Sequence, residues 1–147
     1  MMYARLRGCL FVVALIAVNS ATALAQTTNY MSVEAVPGAP MQLGYYASAH
    51  KSTCSPAPSP IIQIINAPKS GLLIIRRALL TTEKIAGCPH LKIPAEVAFY
   101  QARRGSTGTD HLSYKVMNEA GEVATFDVTI TIKEAPRQPA PPMGSKI

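Results

Sequence analysis

The sequence predicts an all-β fold in which two antiparallel sheets pack face to face. Apolar and polar residues alternate through most of residues 108–133, and shorter apolar runs recur upstream between Gly- and Pro-rich segments. A period of two, with β-branched and aromatic residues on one face, is typical of strands that are buried on one side. Because the runs are short and no long helical period interrupts them, we predict an antiparallel β-sandwich of about seven strands.

Residues 108–133 predict a hairpin with one face in the core. Leu112, Tyr114 and Val116 alternate with polar residues in its first run. Five apolar residues alternate with polar ones in the second run: Ala124, Phe126, Val128, Ile130 and Ile132. Between the runs, residues 118–121 end in Gly121, which can take the positive φ angle that tight connections need.

The other strands are predicted from short apolar runs that turn signals bound. These runs cover residues 30–36, 41–49, 61–65, 72–75 and 97–102. Residues 61–65 are apolar at nearly every position, which indicates a central strand covered on both faces.

Other segments carry weaker signals. The polar residues 26–29 are expected to be loose, and the Pro-rich residues 53–60 are expected to form an irregular loop. Residues 76–84 fit either a short helix or a strand, and Pro94 is expected to end the segment that begins at Leu91.

The first 25 residues have the pattern of a cleaved signal peptide. Arg5 and Arg7 precede an apolar run over residues 9–18, and small residues surround Ala25. The run is shorter than the roughly 20 residues that a membrane span needs. We therefore expect an exported, periplasmic or extracellular protein that meets the membrane only through this peptide. The domain should cover residues 26–135, and the Pro-rich residues 136–147 should form a disordered tail.

The chain is mildly basic. Loss of Arg5 and Arg7 lowers the formal net charge from +6 to +4. Nucleic acid is a poor partner for an exported protein, whereas an acidic protein or envelope component is a plausible one. The residues proposed for such a contact are Arg76, Arg77, Arg103 and Arg104, which would otherwise be ordinary solvated surface.

Two cysteines remain after the signal peptide, Cys54 and Cys88. In an exported chain they most simply form one disulfide, whose loop of about 35 residues would contribute roughly 3–4 kcal/mol. The alternative is a Zn²⁺ or copper site in which His50 and His90 join the two cysteines. An oxidising compartment favours the disulfide, so no cofactor is expected.

Several motifs occur together in a fixed order. They are I-x-x-A-P-x-x-G-L at residues 64–72, V-x-F-Y-Q-A at 97–102, G-T-D-H-L-S-Y-K-V at 108–116 and V-T-I-T-I at 128–132. Over about residues 63–133 the chain resembles bacterial immunoglobulin-like and cadherin-like domains of exported surface proteins. The resemblance implies an immunoglobulin-like sandwich. The chain departs from the family's tandem arrays, its acidic calcium turns and, around Cys88, its motif order.

The matched residues have structural explanations. Gly71, Gly108 and Gly121 suit backbone geometry that a Cβ would obstruct. Asp110 can accept a local backbone hydrogen bond that fixes a turn. Tyr114 resembles the tyrosine that buries its ring in sandwich folds and bonds its hydroxyl to backbone.

No arrangement of residues predicts catalysis. Residues 105–108 are too short for a nucleophile elbow, and the adjacent Asp110 and His111 would point to opposite faces of a strand. We therefore expect a non-catalytic binding module of the bacterial cell envelope that contacts a protein or envelope component through loops or a sheet edge. The alternative is an exported metal-binding protein. A local function should lie near the Cys54–Cys88 loop.

Overall fold

Nine β-strands and no helix form the secondary structure of the described part of the chain. The computed structural model describes residues 26–83, 85 and 87–134, so the predicted signal peptide and Pro-rich tail lie outside it. Within these residues no helix is long and apolar enough to cross a membrane. The strands are β1 (Gln26–Ala35), β2 (Pro40–Tyr46), β3 (Ala49–His50), β4 (Ser55–Pro56), β5 (Ile61–Asn66), β6 (Gly71–Thr82), β7 (Leu91–Ala102), β8 (Gly108–Met117) and β9 (Val123–Ile132).

The seven longer strands form two sheets, which confirms the predicted sandwich. One sheet has the order β1-β9-β8-β5 and the other β2-β7-β6, while β3 and β4 make a separate pair. Neighbouring strands are antiparallel except for β1 and β9, which run parallel. A parallel pair needs a long connection, and here almost the whole domain connects the first strand to the last.

The core lies between the two sheets and includes the predicted face of the β8–β9 hairpin. Leu112, Tyr114 and Val116 are 1%, 0% and 8% exposed, and Val128 and Ile130 on the adjacent strand β9 are fully buried. Removal of each such aliphatic side chain from water contributes about 1.5–3 kcal/mol. The hairpin therefore supplies much of one wall of the core.

The prediction that residues 61–65 form a central strand is wrong. β5 pairs only with β8 and lies at the edge of its sheet. Ile61, Ile64 and Ile65 are 60%, 52% and 50% exposed. A run of β-branched residues indicates a strand, but it does not report how many neighbours that strand has.

Two other local predictions are wrong, and one that was left open between helix and strand is resolved as a strand. The polar residues 26–29 are not loose but belong to β1, where their backbone pairs with β9 while their side chains are exposed. Residues 76–82 continue β6 as a strand. Pro94 does not end a segment but lies within β7. β2 pairs with β7 only from Glu96 onward, so the missing N–H of Pro94 interrupts no hydrogen bond to β2.

A disulfide joins Cys54 to Cys88, with 2.11 Å between the sulfur atoms and 5.3 Å between the Cα atoms. This confirms the predicted bond. It connects the segment around β3 and β4 with the connection between β6 and β7. Cys88 is 1% exposed, and Ile93 and Ala95 at the start of β7 are also fully buried.

The Asp110 carboxylate is almost fully buried, with 3% of the residue exposed, and it accepts four hydrogen bonds. The amides of Lys69 and Ser70 donate to Oδ1 and Oδ2 at 2.9 and 2.8 Å. The Tyr100 hydroxyl donates to Oδ2 at 2.8 Å, and the amide of His111 donates to Oδ1 at 3.0 Å. Asp110 therefore holds the turn between β5 and β6 against β7 and β8, a wider role than the local bond expected.

Gly71 follows this turn directly and has no room for a side chain. A Cβ there would lie 2.6 Å from both the Gln101 carbonyl oxygen and the Tyr100 ring. Gly108 and Gly121 instead have positive φ angles, 91° and 79°, which favour glycine.

Opposing effects set the pKa of the Asp110 carboxyl. Burial is the largest and raises the pKa, but the bonds from Lys69, Tyr100, Ser70 and His111 together lower it below its usual range. Burial, followed by the bond to Asp110, raises the pKa of the Tyr100 hydroxyl. Tyr100 therefore remains a donor to an ionised carboxylate.

Substitution of Asp110 by Asn should lower the free energy of unfolding by about 2–4 kcal/mol at neutral pH. Both oxygens of the carboxylate accept hydrogen bonds, whereas Asn would place an NH₂ donor opposite two of the same donors. A depressed pKa contributes stability above the unfolded value of about 4 and loses it as the pH falls through the folded value. Urea denaturation should therefore give a smaller difference between the two proteins at about pH 3.

Asp127→Asn is the matched control, because Asp127 is exposed on β9. It should change the free energy of unfolding by less than about 0.5 kcal/mol. An Asp110→Asn deficit of equal size at both pH values would contradict a role for the ionised carboxylate.

Candidate functional site

A cavity of about 520 Å³ opens between the two sheets at the end of the sandwich where β8 ends and β9 begins. Both sheets contribute to its wall, and so does the connection that carries Cys88. Its apolar lining includes Leu80, Ile85, Ile93, Val116 and Val123. Its polar lining includes Thr27, Tyr45, Tyr46, Ser48, Thr82, Asn118 and Glu122.

The lining changes in character from the inside outward. Ile93 and Val116 are buried, whereas Thr27 and Glu122 are exposed. This arrangement gives the cavity an apolar interior and a polar mouth. Pockets of this size and composition are typical of sites for small ligands.

Tyr46 connects the cavity with the core. Its hydroxyl lies 2.6 Å from the Tyr114 hydroxyl, and the rings of both residues lie against Phe126. The Tyr114 ring is buried as expected, but its hydroxyl bonds to this second tyrosine and not to backbone.

The two hydroxyls are neutral at physiological pH. Burial, followed by the bond to Tyr114, raises the pKa of Tyr46. Burial also raises the pKa of Tyr114, although its bond to Tyr46 acts in the opposite direction. This side of the cavity is therefore uncharged, which suits an apolar occupant.

Glu122 is held at the mouth by the connection between β8 and β9. Its backbone amide donates to Asn118 Oδ1 at 2.9 Å, and Asn118 Nδ2 donates to its Oε2 at 2.6 Å. The adjacent Gly121 completes the turn, with its amide donating to the Asn118 carbonyl at 3.0 Å. Glu122 is the acidic residue of the described lining, which contains neither Lys nor Arg.

Ile85 brings the disulfide segment into the cavity wall. The amide of Cys88 donates to the Ile85 carbonyl at 3.0 Å, within the connection that the bond to Cys54 anchors. Cys54 and His90 have positive φ angles of 50° and 55°, unusual for residues other than glycine. The disulfide thus holds an irregular segment beside the mouth.

The alternative metal site of His50, Cys54, Cys88 and His90 does not form. The two sulfur atoms bond to each other, and His90 Nδ1 lies 2.6 Å from Glu83 Oε1. Across the described residues, no group of three or more His, Cys, Asp or Glu side chains could hold a metal ion. The alternative metal site required two free thiolates as ligands, and the disulfide leaves neither free.

The four proposed arginine contacts lie in two separate places. Arg76 lies over the Phe99 ring at 6.0 Å, and Arg77 Nε is 2.9 Å from Glu96 Oε1. Arg103 donates to the Lys69 carbonyl at 3.2 Å, near the start of β8 and away from the cavity. Arg104 packs against Gly38 there. The β7 residues beside Arg76 and Arg77 lie roughly 20 Å along the extended chain from Arg103 and Arg104. The two pairs therefore do not form one basic patch.

Polar residues on the outer face of the first sheet do not form a proton relay. Ser113 lies opposite Asp127 and two positions from His111. The Ser113 hydroxyl accepts from Asn66 Nδ2 at 2.7 Å, and His111 Nδ1 lies 3.3 Å from the Thr129 hydroxyl. Ser113 and His111 therefore bond to other residues and not to each other.

Comparisons of the chain with protein-family models, curated proteins and solved structures found no match. The cavity also had no signal in the sequence, since its lining comes from the ends of strands far apart in the chain. The break in motif order around Cys88 was the sequence feature nearest to it.

Reduction of the disulfide should lower the free energy of unfolding by roughly 3–4 kcal/mol, because it releases a loop with a sequence separation of 34 residues. Urea denaturation with and without a thiol reductant measures this loss. A Cys54→Ala, Cys88→Ala double variant is the control and should be insensitive to the reductant. Equal sensitivity in the variant would assign the effect to something other than this bond.

Proposed function

We propose that this protein is a non-catalytic binding module of the bacterial cell envelope that holds the apolar part of a small amphiphilic envelope molecule. The observation that carries the proposal is the cavity between the sheets, with its apolar interior and polar mouth. An amphiphile would bury its apolar part against Ile93 and Val116 and leave its polar group beside Glu122.

The dimensions and chemistry of the cavity favour this class of ligand. Its volume of about 520 Å³ falls within the roughly 300–1,000 Å³ of small-molecule sites. Burial of apolar ligand surface contributes about 25 cal/mol per Å². Asn118 and Glu122 already bond to each other, so the mouth is preorganised and little ordering accompanies binding.

The charge of the mouth indicates which amphiphiles bind best. Glu122 is exposed there, and the described lining carries no basic side chain to balance it. A cationic or neutral head group is therefore favoured over an anionic one. This distinguishes the proposal from recognition of an acidic partner through the arginines.

Export is part of the proposal. The disulfide is compatible with an oxidising compartment, and residues 1–25 have the pattern of a signal peptide. The strand order supports an immunoglobulin-like relationship, because β5 and β6, and likewise β7 and β8, are consecutive strands in different sheets.

Ala47→Phe should weaken binding of the neutral fluorescent probe N-phenyl-1-naphthylamine by about tenfold or more. Ala47 lines the cavity, so a phenyl ring there would occupy the space of the ligand. Fluorescence titration measures the loss. Ala120→Phe is the matched control, because Ala120 is exposed and outside the described lining. Absence of saturable binding to the unmodified protein would overturn the proposal.

Competition between two amphiphiles of equal chain length tests the role of Glu122. An alkylamine should displace the probe at lower concentration than the matching alkyl carboxylate. Glu122→Gln should abolish this preference, since it removes the charge and keeps an oxygen that can accept from Asn118. A preference that survives the substitution would show that Glu122 does not set head-group selectivity.

A further inference from the structure

β5 is an open sheet edge, and its residues Ile61–Ile64 carry no charge, proline or bulge that would hinder pairing with another strand. One side of it pairs with β8, and the other side has no strand beside it in the described chain. The run Ile61-Ile62-Gln63-Ile64-Ile65 contains no charge and no proline. Exposed edges in soluble proteins generally carry charges, prolines or bulges that prevent pairing with a second chain.

The other three outer strands of the two main sheets have such protection. β6 carries Arg76 and Arg77, and β1 carries Glu34. β2 begins with Pro40 and contains a bulge between Gln42 and Gly44. The irregularity in β5 falls at Ile65, the last residue of the apolar run, and leaves Ile61–Ile64 in regular register with β8.

The sequence of β5 complements itself when two copies run antiparallel. The run Ile-Ile-Gln-Ile-Ile is symmetric about Gln63. With a two-fold axis at Gln63, Ile62 lies opposite Ile64 of the second copy. Ile61 lies opposite Ile65, the residue at which the register of β5 shifts. Gln63 then lies opposite Gln63 of the second copy, and the two side-chain amides can hydrogen-bond to each other.

This register is better than its neighbours. A two-residue slip would place Gln63 opposite an isoleucine and leave fewer apolar pairs. Cross-strand pairs between β-branched residues stabilise a sheet, whereas mixed apolar and polar pairs do so less. The central glutamine therefore selects one register.

The same register extends the core across the junction. Within one chain Ile62 pairs with Val116 and Ile64 with Tyr114, so both isoleucines share the core face of the sheet. Ile62 packs against the core, but Ile64 remains 52% exposed. In the two-fold arrangement each Ile64 would lie beside Ile62 of the second copy and lose much of that exposure.

We propose that two copies of this chain associate through antiparallel β5–β5 pairing about Gln63, joining two four-stranded sheets into one of eight strands. The interface is isologous, because the same residues serve on both sides. A short strand pair buries less surface than a permanent dimer, so the dissociation constant should be on the order of micromolar.

Charge substitution at Gln63 tests both the interface and its register. Gln63 is exposed, so either side chain fits the folded monomer, although Lys would also lie opposite Lys115 of its own chain and lower the monomer's stability slightly. Gln63→Lys would place two ammonium groups face to face on the axis, and we expect it to raise the dissociation constant by about tenfold or more. Gln63→Glu should do the same more weakly, because Lys115 lies opposite it in β8 and partly offsets the charge.

An equimolar mixture of Gln63→Lys and Gln63→Glu should regain dimer, since each axial pair then joins opposite charges. Sedimentation equilibrium over the micromolar range measures all four samples. The controls are Thr28→Lys and Thr28→Glu on the exposed edge of β1, which should dimerise like the unmodified protein. Thermal unfolding confirms that each variant is folded.

Several outcomes would overturn the proposal. These are an unmodified protein that remains monomeric, a Gln63→Lys variant that still dimerises, or a mixture that stays monomeric. Growth into larger aggregates would also contradict a closed two-fold pair. The Ala47→Phe variant should dimerise normally, so failure of ligand binding and failure of self-association can be distinguished.

Discussion

The fold depends on one buried carboxylate. Asp110 on β8 accepts from the turn that leads out of β5 and from Tyr100 on β7, so it links both sheets at the point where the chain crosses between them. A charged group that is only 3% exposed is tolerated only when its oxygens are hydrogen-bonded. Here four donors bond to the two carboxylate oxygens. The position of β5 and β6 as neighbouring outer strands follows from this crossing.

The sequence predicted local strand patterns and the single simple cysteine pair, but it missed most contacts between residues far apart in the chain. The β8–β9 hairpin was predictable because its period of two and its turn lie within one short stretch. The disulfide was predictable because two cysteines had one simple pairing in a chain that the sequence predicts to be exported. Asp110 was expected to fix a local turn, but two of its donors lie 40 and 41 residues earlier in the chain.

Position within a sheet was the main property that local patterns failed to predict. The isoleucine run of β5 indicated burial on both faces, yet a strand at the end of a sheet can carry the same residues if another chain covers it. The cavity was equally hidden, because Thr27, Leu80 and Val116 come from three strands and meet only in the folded chain. The open edge of β5 and the cavity both lie at the margins of the sandwich. No short sequence motif marks a strand as an outer one or a cavity as present.

These two features share β8. Val116 lines the cavity and also pairs with Ile62 on β5, so the strand that would meet a second copy borders a wall of the site. A dimer formed through β5 would carry two cavities, and an envelope surface that displays many copies of the amphiphile could engage both. The second binding event would then be intramolecular, which raises the apparent affinity by a factor on the order of 10²–10⁴ when the spacing permits it. A cavity with weak intrinsic affinity would thus suffice for stable attachment to such a surface, whereas a monomer with the same cavity would exchange rapidly.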